Sequence, residues 1–203
     1  MKMIVFGASG ATGQEFVTLA LAEGHHVTAF VRNASKLNHT HTNLRLVVGD
    51  ALDRDAVGQA IAGHDVIVSC LGGPSMGAST TLSEMVANIV AGMNLHHVSR
   101  IVYMASAGIH REIPGIFGWI AERFLRHVLA DHRQAVELIQ QAGLTWTIAR
   151  PMGLTNTPAT GTYRNALSGV PQGGRRIARA DVARFLLDAT SDPQWEMQSV
   201  GLA

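Results

Sequence analysis

Apolar positions fall into two alternating patterns along the 203-residue chain. Short unbroken apolar runs at 3–7, 26–31, 44–49, 65–71, 100–106 and 144–151 read as β-strands. Their continuity, in place of strict alternation, predicts strands covered on both faces. Between them lie segments with helical spacing. The stretch 13–24 puts Phe16, Leu19 and Ala20 on one face and stops at Gly24. The stretch 53–63 opens with Asp53 as its N-cap and closes at Gly63. Helices over 79–97 and from about 117 to 142 follow, and a last one over 180–190 starts at Arg179 or Asp181. Such alternation predicts a doubly wound α/β fold, a parallel sheet flanked by helices on both faces. No repeat, low-complexity run or linker marks a second domain, so residues 1–203 are expected to form one. Ligands of such sheets sit beyond the carboxyl ends of the strands, where strand order reverses.

The first strand end carries glycines at every third position, Gly7, Gly10 and Gly13. Gly7 permits a tight turn, Gly10 has no Cβ to block a pyrophosphate, and Gly13 lets the following helix pack closely. Backbone N–H groups at that helix start then face an anion, aided by the helix dipole. The spacing is G-x-x-G-x-x-G, not the usual G-x-G-x-x-G, but its place between a strand and an amphipathic helix points to a dinucleotide. The alternative is a turn that binds nothing or holds an unrelated phosphate.

The second strand ends at Arg32, where a NAD-specific site carries an acid for the ribose 2′-hydroxyl. A guanidinium there suits a 2′-phosphate instead, and Lys36, one of only two lysines, follows one helical turn later. The expected cofactor is therefore NADP(H) in preference to NAD(H); solvated surface cations are the alternative. At later strand ends, Asp50 sits where it would accept a hydrogen bond from an adenine amino group, or else cap the helix near Asp53. Leu71, Gly72 and Gly73 mark a place where the chain passes close to the cofactor.

Composition narrows the function classes. Apolar residues make up 47% and charged ones 15%, so a full core is available. A net charge of +1 with no basic tail argues against a nucleic-acid binder. Cys70 is the only cysteine, which rules out an intrachain disulfide and suits a reducing compartment. No apolar run reaches the length of a membrane span, and the start does not read as a signal peptide. These features predict a cytoplasmic monomer or homodimer that acts on a small molecule, with neither nucleic acid nor membrane as partner. His39 and His41 lack further ligands at metal spacing, so no metal site is expected.

The stretches VFGASGATGQ, FVRNASKL, VVGDALD, CLGG, MASAG, DHRQAVELIQQAGLTWTIARP and TGTY occur in this order. Together they resemble the atypical short-chain dehydrogenase/reductase superfamily, over roughly residues 3–190. More narrowly they resemble its branch with biliverdin reductase B (flavin reductase) and NmrA-like proteins. The resemblance implies a Rossmann fold in which Gly7, Ser9, Ala11, Thr12 and Gly13 cradle the pyrophosphate. It places Arg32 and its neighbours on the 2′-phosphate, and Asp50, beside Ala51, on the adenine.

Ordinary members of the superfamily use a Tyr-x-x-x-Lys pair. Here Tyr103 is followed at that spacing by Ala107 and Tyr163 by Leu167, so the pair is missing. The resemblance implies a serine after the fifth strand, matched by Ser106, whose hydroxyl would bond the nicotinamide amide or a substrate carbonyl. It also implies a histidine after the sixth strand, where this chain has Met152; Pro151 and Met152 would form an apolar wall by the nicotinamide. That departure favours a flavin or quinone over biliverdin as acceptor. His132 in the long helix is a second catalytic candidate, and His110 and Arg175 are candidate acceptor contacts, Arg175 for an anion such as a flavin phosphate. Each is also readable as a structural or surface residue. The amphipathic stretch 113–132, with Trp119 and Phe124, is readable as a substrate lid, a subunit interface or core, and is expected in the core or an interface. Two functions fit: an NADPH-dependent reductase, or an NADP(H)-binding redox sensor without turnover. Epimerase or dehydratase chemistry is disfavoured because nothing replaces the Tyr/Lys pair.

Overall fold

The computed structural model describes residues 1–37, 39–72 and 79–203, with 116, 117 and 120–122 described for their backbone alone. Its first half alternates β1 (Lys2–Phe6), α1 (Ala11–Ala22), β2 (His26–Val31), β3 (Leu44–Val48), α2 (Arg54–Ile61), β4 (Val66–Ser69) and α3 (Thr81–Leu95). The second half follows with β5 (Arg100–Met104), α4 (Gly115–Gln141), β6 (Thr145–Pro151), β7 (Gly153–Thr155), β8 (Asn165–Ala166), β9 (Arg176–Ala178), α5 (Arg179–Asp188) and β10 (Gln198–Leu202). Every helix and strand expected from the apolar pattern is present, with ends shifted by up to a few residues.

An eight-stranded sheet runs in the order β3-β2-β1-β4-β5-β6-β10-β8. Its strands pair in parallel except for β8, which lies antiparallel to β10. Strand order reverses between β1 and β4, so the crevice that such sheets offer to ligands opens there. The apolar runs are continuous because both sheet faces are covered. Along β1, Met3 and Val5 face a cluster with Phe16 and Val17 of α1 and Val182 and Leu186 of α5. Ile4 and Phe6 face the other way, onto Ile61 of α2, Ile89 of α3 and Val136 of α4. Burying a side chain of the size of Phe16 or Ile61 contributes about 1.5–3 kcal/mol, and truncating one to Ala costs about 2–5 kcal/mol.

The helix ends follow local chemistry. Asp53 caps α2 as expected, its Oδ1 accepting the N–H groups of Asp55 and Ala56 at 3.0 Å each. Gly24 stops α1 with φ at +78°. Four strands escaped the apolar pattern. β7, β8 and β9 span three, two and three residues, too short to show a period. β10, with the sequence QSVGL, mixes polar and small residues with apolar ones and is nevertheless inside the sheet, pairing Val200 with Ala149 and Leu202 with Pro151. No helix among the described residues is long and apolar enough to cross a membrane.

Candidate functional site

The glycine turn after β1 is shaped by the backbone around it. Gly7 has φ at +76°, and a Cβ there would lie 2.6 Å from the Cys70 carbonyl carbon, so the turn is pressed against the end of β4. A Cβ on Gly13 would lie 2.2 Å from the Gly7 oxygen, which makes Gly13 the residue that lets α1 sit on the turn. Gly10 is different. A Cβ there would meet only the Gly7 oxygen within 4 Å, at 3.2 Å, and the space beyond belongs to the cleft.

Gly10 is also the N-cap of α1, and no side chain caps this helix end. Its first-turn N–H groups are left for an anion. The start of α3 is treated in the opposite way. The buried Asp131 carboxylate of α4 accepts the N–H groups of Leu82 at 3.0 Å and Ser83 at 2.8 Å, filling that helix end from within the protein.

A cleft of about 320 Å³ opens over this turn. It brings together Gly7, Ser9 and Gly10 from the turn, Arg32 and Lys36 from beyond β2, Asp50 and Ala51 from beyond β3, and Leu71 and Gly72 from beyond β4. Asn33 Oδ1 accepts from the Ser35 N–H at 2.9 Å and the Ser35 hydroxyl at 2.8 Å, closing the 3₁₀ turn Ala34–Lys36 behind Arg32. Arg32 and Lys36 are exposed, and no ion pair to a carboxylate engages either of them among the described residues. Asp50 does not cap α2. Its Oδ1 accepts the Leu52 N–H at 3.0 Å, which holds the carboxylate at the cleft rim.

Sequence reasoning missed other parts of this cleft. Phe30 forms part of its wall and packs so tightly under Gly49 that a Cβ there would lie 2.6 Å from the ring. Thr81 and Met85 at the start of α3 also line it. The doubly wound rule is the signal for them, since each helix starts at the strand end where ligands sit. Cys70 borders the cleft but is buried, and burial pushes its thiol up to about 12, which keeps it uncharged and unreactive.

The remaining candidates divide. Ala11 and Thr12 form the first turn of α1; Thr12 is buried, and neither lines the cleft. Gly73 lies outside the described residues. Ser106 follows β5, half-buried, its hydroxyl donating to the Ala107 oxygen at 3.1 Å. The Ala107 N–H donates to the Pro151 oxygen at 3.0 Å and the Met152 N–H to the Leu202 oxygen at 2.9 Å. Ser106 and the Pro151–Met152 step therefore stand on neighbouring strand ends.

His132 is not brought to the cleft. It is 6% exposed, its Nδ1 lies 3.0 Å from the Tyr103 hydroxyl, and burial pushes its pKa down to about 4. Leu129, His132, Val136 and Ile139 share one stripe of α4, the signal that places this histidine in the core. Tyr103 is itself fully buried, and burial pushes its pKa up. Arg175 lines a separate cavity of about 770 Å³ with Thr160 and Tyr163, away from the glycine turn. His110 is exposed on the loop after Ser106 and does not line the dinucleotide cleft. Trp119 and Phe124 are two-thirds exposed on α4, which overturns a core position for them.

Comparison with known proteins agrees with the fold. A family model described as NAD(P)H-binding matches residues 7–193. The Bacillus subtilis (strain 168) protein named uncharacterized sugar epimerase YhfK is 26% identical over 213 residues, covering 100% of this chain and 94% of that protein. Against a longer curated dehydrogenase the matched stretch spans only about a third, 32%, of the relative's length. Among solved structures, a short-chain dehydrogenase/reductase from Veillonella parvula in complex with NADP superposes with a TM-score of 0.84 at 19% identity, covering 100% of this chain and 94% of that one. ChuY, an anaerobilin reductase from Escherichia coli O157:H7, superposes with a TM-score of 0.81 at 24% identity, covering 100% and 96%.

Proposed function

Since the chain belongs to the NAD(P)H-binding family, we propose that it is an NADPH-dependent reductase acting on a planar acceptor, a flavin or quinone in preference to biliverdin. The observation that carries the cofactor choice is the pairing of Arg32 and Lys36 on the wall of the glycine-turn cleft, with no acid taking the ribose position. Charge-assisted hydrogen bonds of this kind contribute about 1.5–3 kcal/mol each before solvent screening. The described residues fit the dinucleotide: Gly10 leaves room where a Cβ would intrude, and the uncapped start of α1 presents N–H groups to a pyrophosphate.

When bound, the reduced dinucleotide supplies a hydride. The protein's part is positioning. The Ser106 hydroxyl holds a carboxamide or carbonyl oxygen at the end of β5, and Pro151 with Met152 excludes water from one side. Flavins and quinones take their proton from solvent, which suits a site whose buried Tyr103 and His132 hydrogen-bond each other. The named activity of ChuY keeps anaerobilin among the acceptors worth testing.

NADPH oxidation by the purified protein against FMN, riboflavin, small quinones and biliverdin tests the reading, with Ser106→Ala beside it. Turnover that falls at least tenfold in the variant is expected. Tight NADPH binding without oxidation by any acceptor replaces the reductase with a redox sensor.

A further inference from the structure

The loop after β5 is tied down from two sides by charged side chains, one of them fully buried. Arg150 of β6 is 2% exposed, and its guanidinium reaches three segments. It forms an ion pair with Glu112, whose side chain is 7% exposed. It also donates from Nη1 to the Gly169 oxygen at 3.1 Å, from Nε to the Ser199 hydroxyl at 3.0 Å and from Nη2 to the Ser199 oxygen at 3.2 Å. The second oxygen of Glu112 accepts the His110 N–H at 2.9 Å. From the helix side, Arg133 of α4 donates to the Ile109 oxygen at 2.7 Å. Between these ties the loop turns sharply, with φ at +97° for Gly108 and +58° for Arg111.

We propose that the Arg150–Glu112 pair is a positioning strut that sets the Ser106 loop against the Pro151–Met152 wall and so fixes the hydride-transfer distance. Arg150 is the residue before Pro151, and Glu112 lies in the loop that carries Ser106, three residues before α4 begins at Gly115. One contact thus spans both walls of the acceptor end. Burial of two charges is costly and rarely the most stable way to fill a core, so the pair's worth lies in register. It does not reach the glycine turn, and the dinucleotide's adenine half is held without it. The proposal rests on the reductase reading for its acceptor, but the strut acts on the protein whether or not turnover occurs.

Three measurements on the full chain decide it, with Glu112→Gln and Glu112→Asp beside the parent: the NADPH Kd, the fluorescence of bound NADPH, and the single-turnover hydride-transfer rate with NADPH or 4-deuterated NADPH. A strut predicts a Kd within about twofold of the parent for Glu112→Gln. Transfer slows at least tenfold, and the nicotinamide fluorescence enhancement is reduced. Glu112→Asp, which keeps the charge, recovers part of both losses. A folded Glu112→Gln protein with parental rate and fluorescence overturns the proposal, as does a loss that merely follows the folded fraction. Should Glu112→Gln fail to fold, Glu112→Asp carries the test: parental fluorescence overturns the strut, and reduced fluorescence at unchanged Kd supports it. Absence of turnover in the parent overturns the reductase reading alone, and the fluorescence comparison still judges the strut.

Discussion

The two ends of the strand-end crevice are built from different materials. At the β1–β3 end the protein uses backbone: glycines in contact with carbonyls, an uncapped helix start and exposed cations that wait for a ligand. At the β5–β6 end it uses side chains that satisfy one another, in the Arg150–Glu112 pair, the Arg133 tie to Ile109 and the Tyr103–His132 contact. The helix starts show the same division, α1 left open and α3 filled by Asp131. An end built on backbone leaves its electrostatics unspent for an anion. One built on satisfied side chains offers shape more than charge.

Substitutions separate the two ends, and the largest effect is expected at the turn. Gly7→Val combines a left-handed backbone with a Cβ 2.6 Å from the Cys70 carbonyl carbon. It is expected to lower stability by roughly 2–6 kcal/mol in urea unfolding, from strain plus overpacking. Added NADPH is expected to recover little, because the cradle itself is distorted.

Next comes the acid response of the other end. Burial pushes the His132 pKa down to about 4 in the folded protein, against the ordinary imidazole value of 6.5 that the unfolded chain keeps. Between those values the unfolded chain binds the extra proton, so stability falls as pH drops through this window and is unaffected above it. The slope is at most about 1.4 kcal/mol per pH unit. Urea midpoints from pH 7 to 4.5 are expected to fall more steeply for the parent than for His132→Gln; equal slopes would contradict the buried-histidine account.

A smaller effect belongs to cofactor choice. Arg32→Ala is expected to weaken NADPH binding about tenfold while leaving NADH within about twofold, and Arg32→Glu to do more. Equal losses for both cofactors would remove the 2′-phosphate assignment. The smallest lies outside both ends. Arg184 pairs with Glu23 and Asp188 on the exposed faces of α1 and α5. Arg184→Ala should cost less than about 1 kcal/mol, the usual worth of a surface pair.

The same division decides what a reader of the sequence recovers. The backbone-built end is local: a strand, a glycine turn and a helix within a few residues, so Gly7, Gly10 and Gly13 disclose their roles in order. Arg32 and Lys36 follow from their place after a strand. The side-chain-built end is assembled from distant positions. Arg150 and Glu112 are 38 residues apart, and Arg150 sits in an apolar run where nothing marks it as buried and paired. His132 is a catalytic candidate by residue type, but its helical register with Leu129 and Val136 puts it in the core. β10 hides because its buried Val200 and Leu202 alternate with Ser199 and Gly201, which reads as turn.

The place of β10 has a consequence for how the molecule comes into being. Its partner β6 lies far upstream, and Ser199 completes the Arg150 contacts across 49 residues. Parallel pairing over such separations is slow, because the intervening chain must be ordered before the strands meet. In its strand pairing the glycine cradle is no more local, since β1 meets β4 with Met3 beside Val66 and the Gly7 turn against Cys70. What separates the two ends is the order in which their residues are made. Every residue of the cradle precedes β10, so the contacts between Arg150 and Ser199 are among the last that a chain under synthesis can form.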